Sequence, residues 1–428
     1  MEREFAKFIY FICLLSITLF LLLEVIQFTS NQTQKTYNLK FTPPLKGTEI
    51  LLEAEQKGGL KRGIWALDLG TEKARFLIPN GSRPVWSPQR NYFAYQDYLH
   101  PSFINVVDKA GKVIDKLEIP VAWNIQLTGW RDEKWLLITA IRLFSGKDYP
   151  FTAYYQTICF NYSPLDIREI FPGHHAGNPS ISPDGKHIAF EVFKFAPGVG
   201  RLNSKIAVAD LEEKIEYVDI EEEEKIWYRV PCLSLEAQNI RRLTTLPLNI
   251  LEINPKWSPD GNKIAFEVVD PRSGNCIAHV VNSDGTGLKG LEFKGGKGAE
   301  RPHLEEGLIM EGFKDHSLQV LGWVSSNHIA VIDSRYPFVD HIWIVDLNLG
   351  RPSACLLPPN QGEGIKFILL SKKQLAWLET VGDGNLLLRV SLFDLVLPQK
   401  QEKMRWILNS DGRWIFPKED LIVYWASW

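Results

Sequence analysis

The sequence predicts an all-β chain, a β-propeller of about seven four-stranded blades preceded by one N-terminal transmembrane helix. Three observations predict it: an apolar run near the start, a hairpin motif that recurs through the rest, and a spacing of about 44 residues between copies. The composition allows such a core, since 45% of the 428 residues are hydrophobic and 23% are charged. A net charge of −3 lacks the basic excess needed to neutralise phosphates, so no nucleic-acid partner is expected.

The first element is Phe8 to Phe28, FIYFICLLSITLFLLLEVIQF, which would span roughly 31 Å as a helix and so cross one bilayer. Its one charge, Glu24, lies near the C-terminal end, within reach of the interface. No small-residue cleavage pattern follows in Gln27 to Asn31, which favours an uncleaved anchor over residues 1–29. Cys13 sits in the middle of the run, where a lipoprotein cysteine would not be. Flanking charges leave the orientation open, because Glu2 and Glu4 offset Arg3 and Lys7 while Lys35, Lys40 and Lys46 follow. Long domains translocate regardless of charge, and the expectation is a single-pass protein of the cell membrane with its large domain outside the cytoplasm.

After a short linker, residues 30–42, the repeats begin and occupy residues 43–428. Three copies are plain: Pro84-Val85-Trp86-Ser87-Pro88 leading to Phe93-Ala94-Tyr95, Pro179-Ser180-Ile181-Ser182-Pro183-Asp184-Gly185 leading to Ile188-Ala189-Phe190, and Pro255-Lys256-Trp257-Ser258-Pro259-Asp260-Gly261 leading to Ile264-Ala265-Phe266. Each reads as a strand, a turn in which Pro presets φ and Gly accepts positive φ, and a second strand. Third strands follow at Ile206–Asp210 and Ile277–Val281, and a shorter fourth at Ile240–Thr244. Weaker copies are anchored at Pro43, Trp130, Trp323 and Ile368, and Leu421 to Trp425 is left over as a strand able to close the ring. Six blades also fits, since the copies at Pro43 and Ile368 lack the tryptophan.

These residues resemble the TolB-type propeller repeat, a relative of the WD40 repeat, whose recurring core is W-S-P-D-G-x-x-I-A-F. The resemblance is strongest over 84–95, 179–190 and 255–268 and implies a propeller fold. TolB proteins carry a small α/β domain ahead of the propeller, for which there is no room between the apolar run and the first repeat, so a partnership with the Tol-Pal envelope system does not carry over.

The repeat tryptophans are expected to pack between blades, and the Asp-Gly turns each offer one carboxylate, too few for calcium. The cysteines form no CxxC pair, so Cys159, Cys232, Cys276 and Cys355 read as free buried thiols, and no metal or cofactor is expected. Two insertions, near 211–240 and 295–317, interrupt the spacing. The first is acidic, its run Glu221 to Glu224 followed by Ile226-Trp227-Tyr228; it reads as a solvated, partly helical face or as an arm that steers a basic partner. The second is Gly-rich and matches no phosphate-binding motif.

Candidate ligand-binding residues are those expected at one mouth of the central channel, where the first strand of each blade begins: Arg83, Asn178, Asn254 and Lys366, with His174 and His175 entering at the same end. No GxSxG elbow is present, and no catalytic residue is assigned. The reading that follows is a monomeric, non-enzymatic binding or scaffolding propeller for a protein, peptide or envelope polymer. The alternative is a polysaccharide-acting lyase or glycosidase, which requires carboxylates facing one another in the funnel.

Overall fold

A computed structural model describes residues 47–59, 61–118, 123–142, 152–157, 176–196, 200–222, 226–247, 250–291, 318–333, 341–356, 367–370, 374–381, 387–395, 405–407, 413–415, 417 and 421–427. The expected anchor and linker, the second insertion, His174, His175 and Lys366 lie outside the described residues. Among the described residues no helix is long and apolar enough to cross a membrane.

The chain is all-β, and the described strands form seven sheets. The first contains β1 (Glu49–Gln56), β2 (Arg62–Asp68) and β3 (Lys73–Pro79); the second β4 (Gly81–Trp86), β5 (Tyr92–Asp97), β6 (Phe103–Asp108) and β7 (Val113–Glu118). The third holds β8 (Trp123–Trp130), β9 (Leu136–Arg142) and β10 (Thr152–Thr157). The fourth holds β11 (Ala176–Ile181), β12 (His187–Ala196), β13 (Gly200–Glu222) and β14 (Ile226–Arg242), and the fifth β15 (Leu251–Trp257), β16 (Lys263–Val269), β17 (Cys276–Asn282) and β18 (Lys289–Gly290). β19 (Leu318–Ser325), β20 (His328–Asp333), β21 (His341–Asp346) and β22 (Arg351–Leu356) make the sixth; β23 (Phe367–Leu370), β24 (Gln374–Val381) and β25 (Leu387–Asp394) begin the seventh. β26 (Arg405–Ile407) joins the sixth sheet in parallel with β22, and β27 (Arg413–Ile415) completes the seventh. The last strand, β28 (Leu421–Ser427), returns to pair antiparallel with β1.

The strands form where alternation and turn chemistry demand them. In the fourth sheet Gly185 takes φ +70° and donates its N–H to the Ser182 carbonyl, while the Ser182 hydroxyl donates to Asp184 and accepts from the His187 N–H. Ser258, Asp260, Gly261 and Lys263 repeat these contacts in the fifth. The Ile-Ala-Phe runs that follow are fully buried, and each sheet then packs against the next through a shared apolar cluster. Phe190 and Ala207 pack with Trp135 and Leu137 of the third sheet, whereas Ile206 and Val208 pack with Trp257 and Phe266 of the fifth. The cluster of Ile50, Leu52, Leu421 and Val423 with Ala376, Leu378 and Val390 joins the first sheet to the seventh.

One expectation is corrected. The acidic insertion is not partly helical: β13 and β14 continue as a paired ribbon from Glu212↔Glu236 to Glu222↔Ile226. Its β-branched and aromatic residues, Ile215, Tyr217, Val218, Ile220, Ile226, Trp227 and Tyr228, favour extended backbone over helix.

Candidate functional site: the central cavity

One face of the molecule carries the turns between first and second strands together with the exits of the third strands. Five backbone hydrogen bonds tie the two sets, from the N–H groups of Leu69, Lys109, Leu211, Ser283 and Leu347 to the carbonyls of Thr48, Asn91, Lys186, Asn262 and Asn327. A cavity of about 710 Å³ opens there, lined by residues of five sheets, among them Trp86, Arg90, Ser180, Lys256, Trp257 and Trp323.

Three indoles line this cavity and also serve the packing that their spacing predicts. Trp257 Nε1 donates to the Ser180 carbonyl (2.9 Å) and Trp323 Nε1 to the Lys256 carbonyl (2.9 Å); Trp130 Nε1 does the same to Val85 (3.2 Å). Each bond thus reaches the inner strand of a preceding sheet. Trp86 Nε1, although buried, has no hydrogen-bond partner among the described residues, because the sheet before it has the C-terminal β28 as its inner strand, which departs from the repeat.

Two cations complete the lining. Lys256 Nζ donates to the Leu321 carbonyl (2.8 Å), and burial pushes its ammonium below the ordinary value, opposed by the nearby Glu267. Arg90 occupies the turn position that Gly185 and Gly261 hold in the other copies, and it adopts φ +57°, a region costly for a residue with a Cβ. Its guanidinium lies 5.6 Å from the Trp86 ring centroid and donates to the carbonyls of Gly47 and Glu49. An arginine replacing the glycine of a repeated turn was a readable signal that a reading by turn type passes over. Among the described residues lining the cavity there is no carboxylate and no histidine.

The described residues expected at the mouth lie part-way along the inner strands, ahead of the residues that line the cavity: Arg83 in β4, Asn178 in β11 and Asn254 in β15. Arg83, Asn178 and Asn254 each precede a proline, each takes positive φ (47°, 47° and 58°), and each falls within a break in the register between first and second strands. They are bulge residues. The carboxylates that follow the three-residue apolar runs of the second strands hold these bulges across sheets: Glu53 accepts from the Arg83 N–H (3.0 Å), and Glu191 from the Asn254 N–H (2.8 Å). Asn178 Nδ2 donates to Glu191 (2.6 Å), Asn254 Nδ2 to Glu267 (2.8 Å), and Glu267 also accepts from the Val320 N–H (3.0 Å). The recurring Glu at 53, 191 and 267 was visible in the sequence; only the structure shows that it caps a neighbouring sheet. Asn178 and Asn254 are thereby engaged, whereas Arg83 is exposed.

Cys276 and Cys355 are buried free thiols, and burial beside Glu267 raises the Cys276 thiol to about 12. No group of His, Cys, Asp and Glu able to hold a metal occurs among the described residues.

No family model matches the chain, and no curated protein does. Among solved structures it is similar to a putative TolB from Agrobacterium tumefaciens, at 13% identity over 89% of this chain and 99% of that one, with a TM-score of 0.37. It is similar to prolyl oligopeptidase B from Galerina marginata at 13% identity, covering 79% of this chain but 42% of the other, with a TM-score of 0.47. Hydrazine synthase of Kuenenia stuttgartiensis is similar at 11% identity over 78% and 90% of the two chains, with a TM-score of 0.46. The recurring turn motif and the all-β sheets are those of a TolB-type propeller repeat.

Proposed function

We propose that the chain is a membrane-tethered, extracytoplasmic binding propeller that takes a segment of a partner protein or peptide into the central cavity. The observation that carries this reading is the lining itself: indoles, prolines and two cations, with no carboxylate among the described residues. Aromatic and arginine side chains in a concave, desolvated site are the features that dominate protein recognition. The cations suit an acidic or carboxylate-bearing segment. The same reading takes the seven sheets as seven blades of one ring, supported by buried clusters shared between sheets adjacent in order.

The tether rests on the 21-residue apolar run at Phe8–Phe28. Protease added to spheroplasts should digest the propeller, and protection until lysis would reverse the orientation. For the site, a photo-crosslinking residue at Pro259, on the cavity wall, should give a partner adduct, whereas the same residue at Arg83 should not. Adducts formed from Arg83 alone would move the site away from the cavity.

A further inference from the structure

The turn that joins third to fourth strands is short in the second and fifth sheets, at Asp108–Lys112 and Asn282–Thr286, but in the fourth sheet it has grown into the β13–β14 ribbon. Eleven paired rungs, Glu212↔Glu236 to Glu222↔Ile226, extend it by roughly 35 Å beyond the cavity-bearing face. Its base is fixed. Glu213 accepts from Arg131 Nη1 (2.5 Å) and Trp135 Nε1 (3.2 Å) of the adjoining sheet, and Arg131 Nε also holds the Gly185 carbonyl (2.6 Å).

The two edges of this ribbon differ. β12 starts at His187, paired with Asp210, so from Leu211 onward no described strand covers the outer edge of β13. The outer edge of β14 is also uncovered by any described strand, but it contains Pro231, and proline sits in a ladder only where its missing N–H faces the free edge. That edge lacks a donor in mid-course. β13 has no proline between Leu211 and Glu222. A two-stranded ribbon alone is marginal in water, and a third strand would complete it.

We propose that this edge of β13 is a docking site for an extended, basic segment of a partner protein, which adds as a third strand to the ribbon. Charge selects the occupant. Residues 212–236 carry nine carboxylates against three basic side chains, and six of the nine (Glu212, Glu213, Glu216, Asp219, Glu221 and Glu222) lie on β13 itself. A second copy would bring like charges together, and an anionic bilayer would repel the ribbon. Main-chain bonds then supply the affinity and lysines of the incoming strand the selectivity. This interaction is separate from the one proposed for the cavity.

The test uses the full chain in detergent and a nine-residue peptide alternating lysine and valine. The peptide should bind and slow hydrogen exchange at alternate amides of 212–222. The same peptide with alternate backbone nitrogens methylated, so that its ladder edge is blocked, should bind at least about tenfold more weakly. A variant whose residues 215–233 are replaced by the two-residue turn Asn-Gly, which keeps Glu213 and the buried Leu235, should melt at an unchanged temperature and lose binding. Equal affinity for the two peptides, protection of β14 amides in place of β13, or ribbon-dependent self-association would each overturn the proposal.

Discussion

Replacing Glu252 should destabilise the protein severely, because it would strand a buried cation. The Glu252 carboxylate is fully buried, and the Lys205 side chain is only 4% exposed. Lys205 Nζ lies 2.9 Å from Glu252 Oε1 and also donates to the carbonyls of Pro247 (2.6 Å) and Ile250 (3.1 Å). Glu252 Oε2 accepts from the Ile206 N–H (3.0 Å) and from the Thr244 hydroxyl. Lys205 belongs to the fourth sheet and Glu252 to the fifth, so the pair fixes their junction and the segment between them. With Glu252→Ala the ammonium keeps the two carbonyls but loses its counter-charge, the Ile206 N–H loses its acceptor, and breaking a buried pair on one side costs about 3–5 kcal/mol. At about 1.4 kcal/mol per tenfold, the ratio of folded to unfolded chains should fall by a factor of roughly 10² to 4 × 10³. Glu252→Gln should recover little, because it keeps an oxygen for Ile206 but removes the charge opposite Lys205. Urea titration followed by tryptophan fluorescence measures both variants. A loss below about 1 kcal/mol for Glu252→Ala at unchanged slope would refute the reasoning, since it would mean that water reaches the ammonium.

Trp257→Phe should cost about 1 kcal/mol more than Trp86→Phe, because the first loses a bond to the Ser180 carbonyl and the second loses none; paired urea titrations decide this. Burial holds the His328 imidazole below its ordinary value despite the nearby Asp346, so the unfolded chain takes up the proton first on acidification. Stability should therefore fall as pH drops below about 6.5, and His328→Gln should flatten that part of the melting profile. Deleting residues 421–428 strips β1 of its partner and uncovers Ile50 and Leu52, so the truncated chain should aggregate in size-exclusion chromatography; a monodisperse, equally stable product would contradict closure by β28.

Local chemistry makes part of this architecture readable. Ser182-Pro183-Asp184-Gly185 and its counterpart at 258–261 specify both a turn and the strands beside it, and Ile188-Ala189-Phe190 alternates as a buried strand must. Cross-sheet roles are not readable, since the partner of Glu191 is the Asn254 N–H, 63 residues away in sequence. The ribbon is legible as acidic but not as paired, because Glu-rich composition suggests a solvated face and hides the apolar residues between the charges. β26 departs further: Arg405–Ile407 pairs in parallel with β22, a contact that no repeat spacing announces.

The pairing of β28 with β1 also sets an order of events during synthesis. Residues 49–56 emerge early, yet their inner partner, residues 421–427, is made about 365 residues later. At typical elongation rates of about 5–20 residues per second, that strand edge waits roughly 20–70 s. Through that interval the apolar face of β1 is open to pairing with any extended chain nearby. The nascent protein is thus most exposed to misassembly at the sheet it begins, and a chaperone that shields residues 49–56 would act where the ring is last to close.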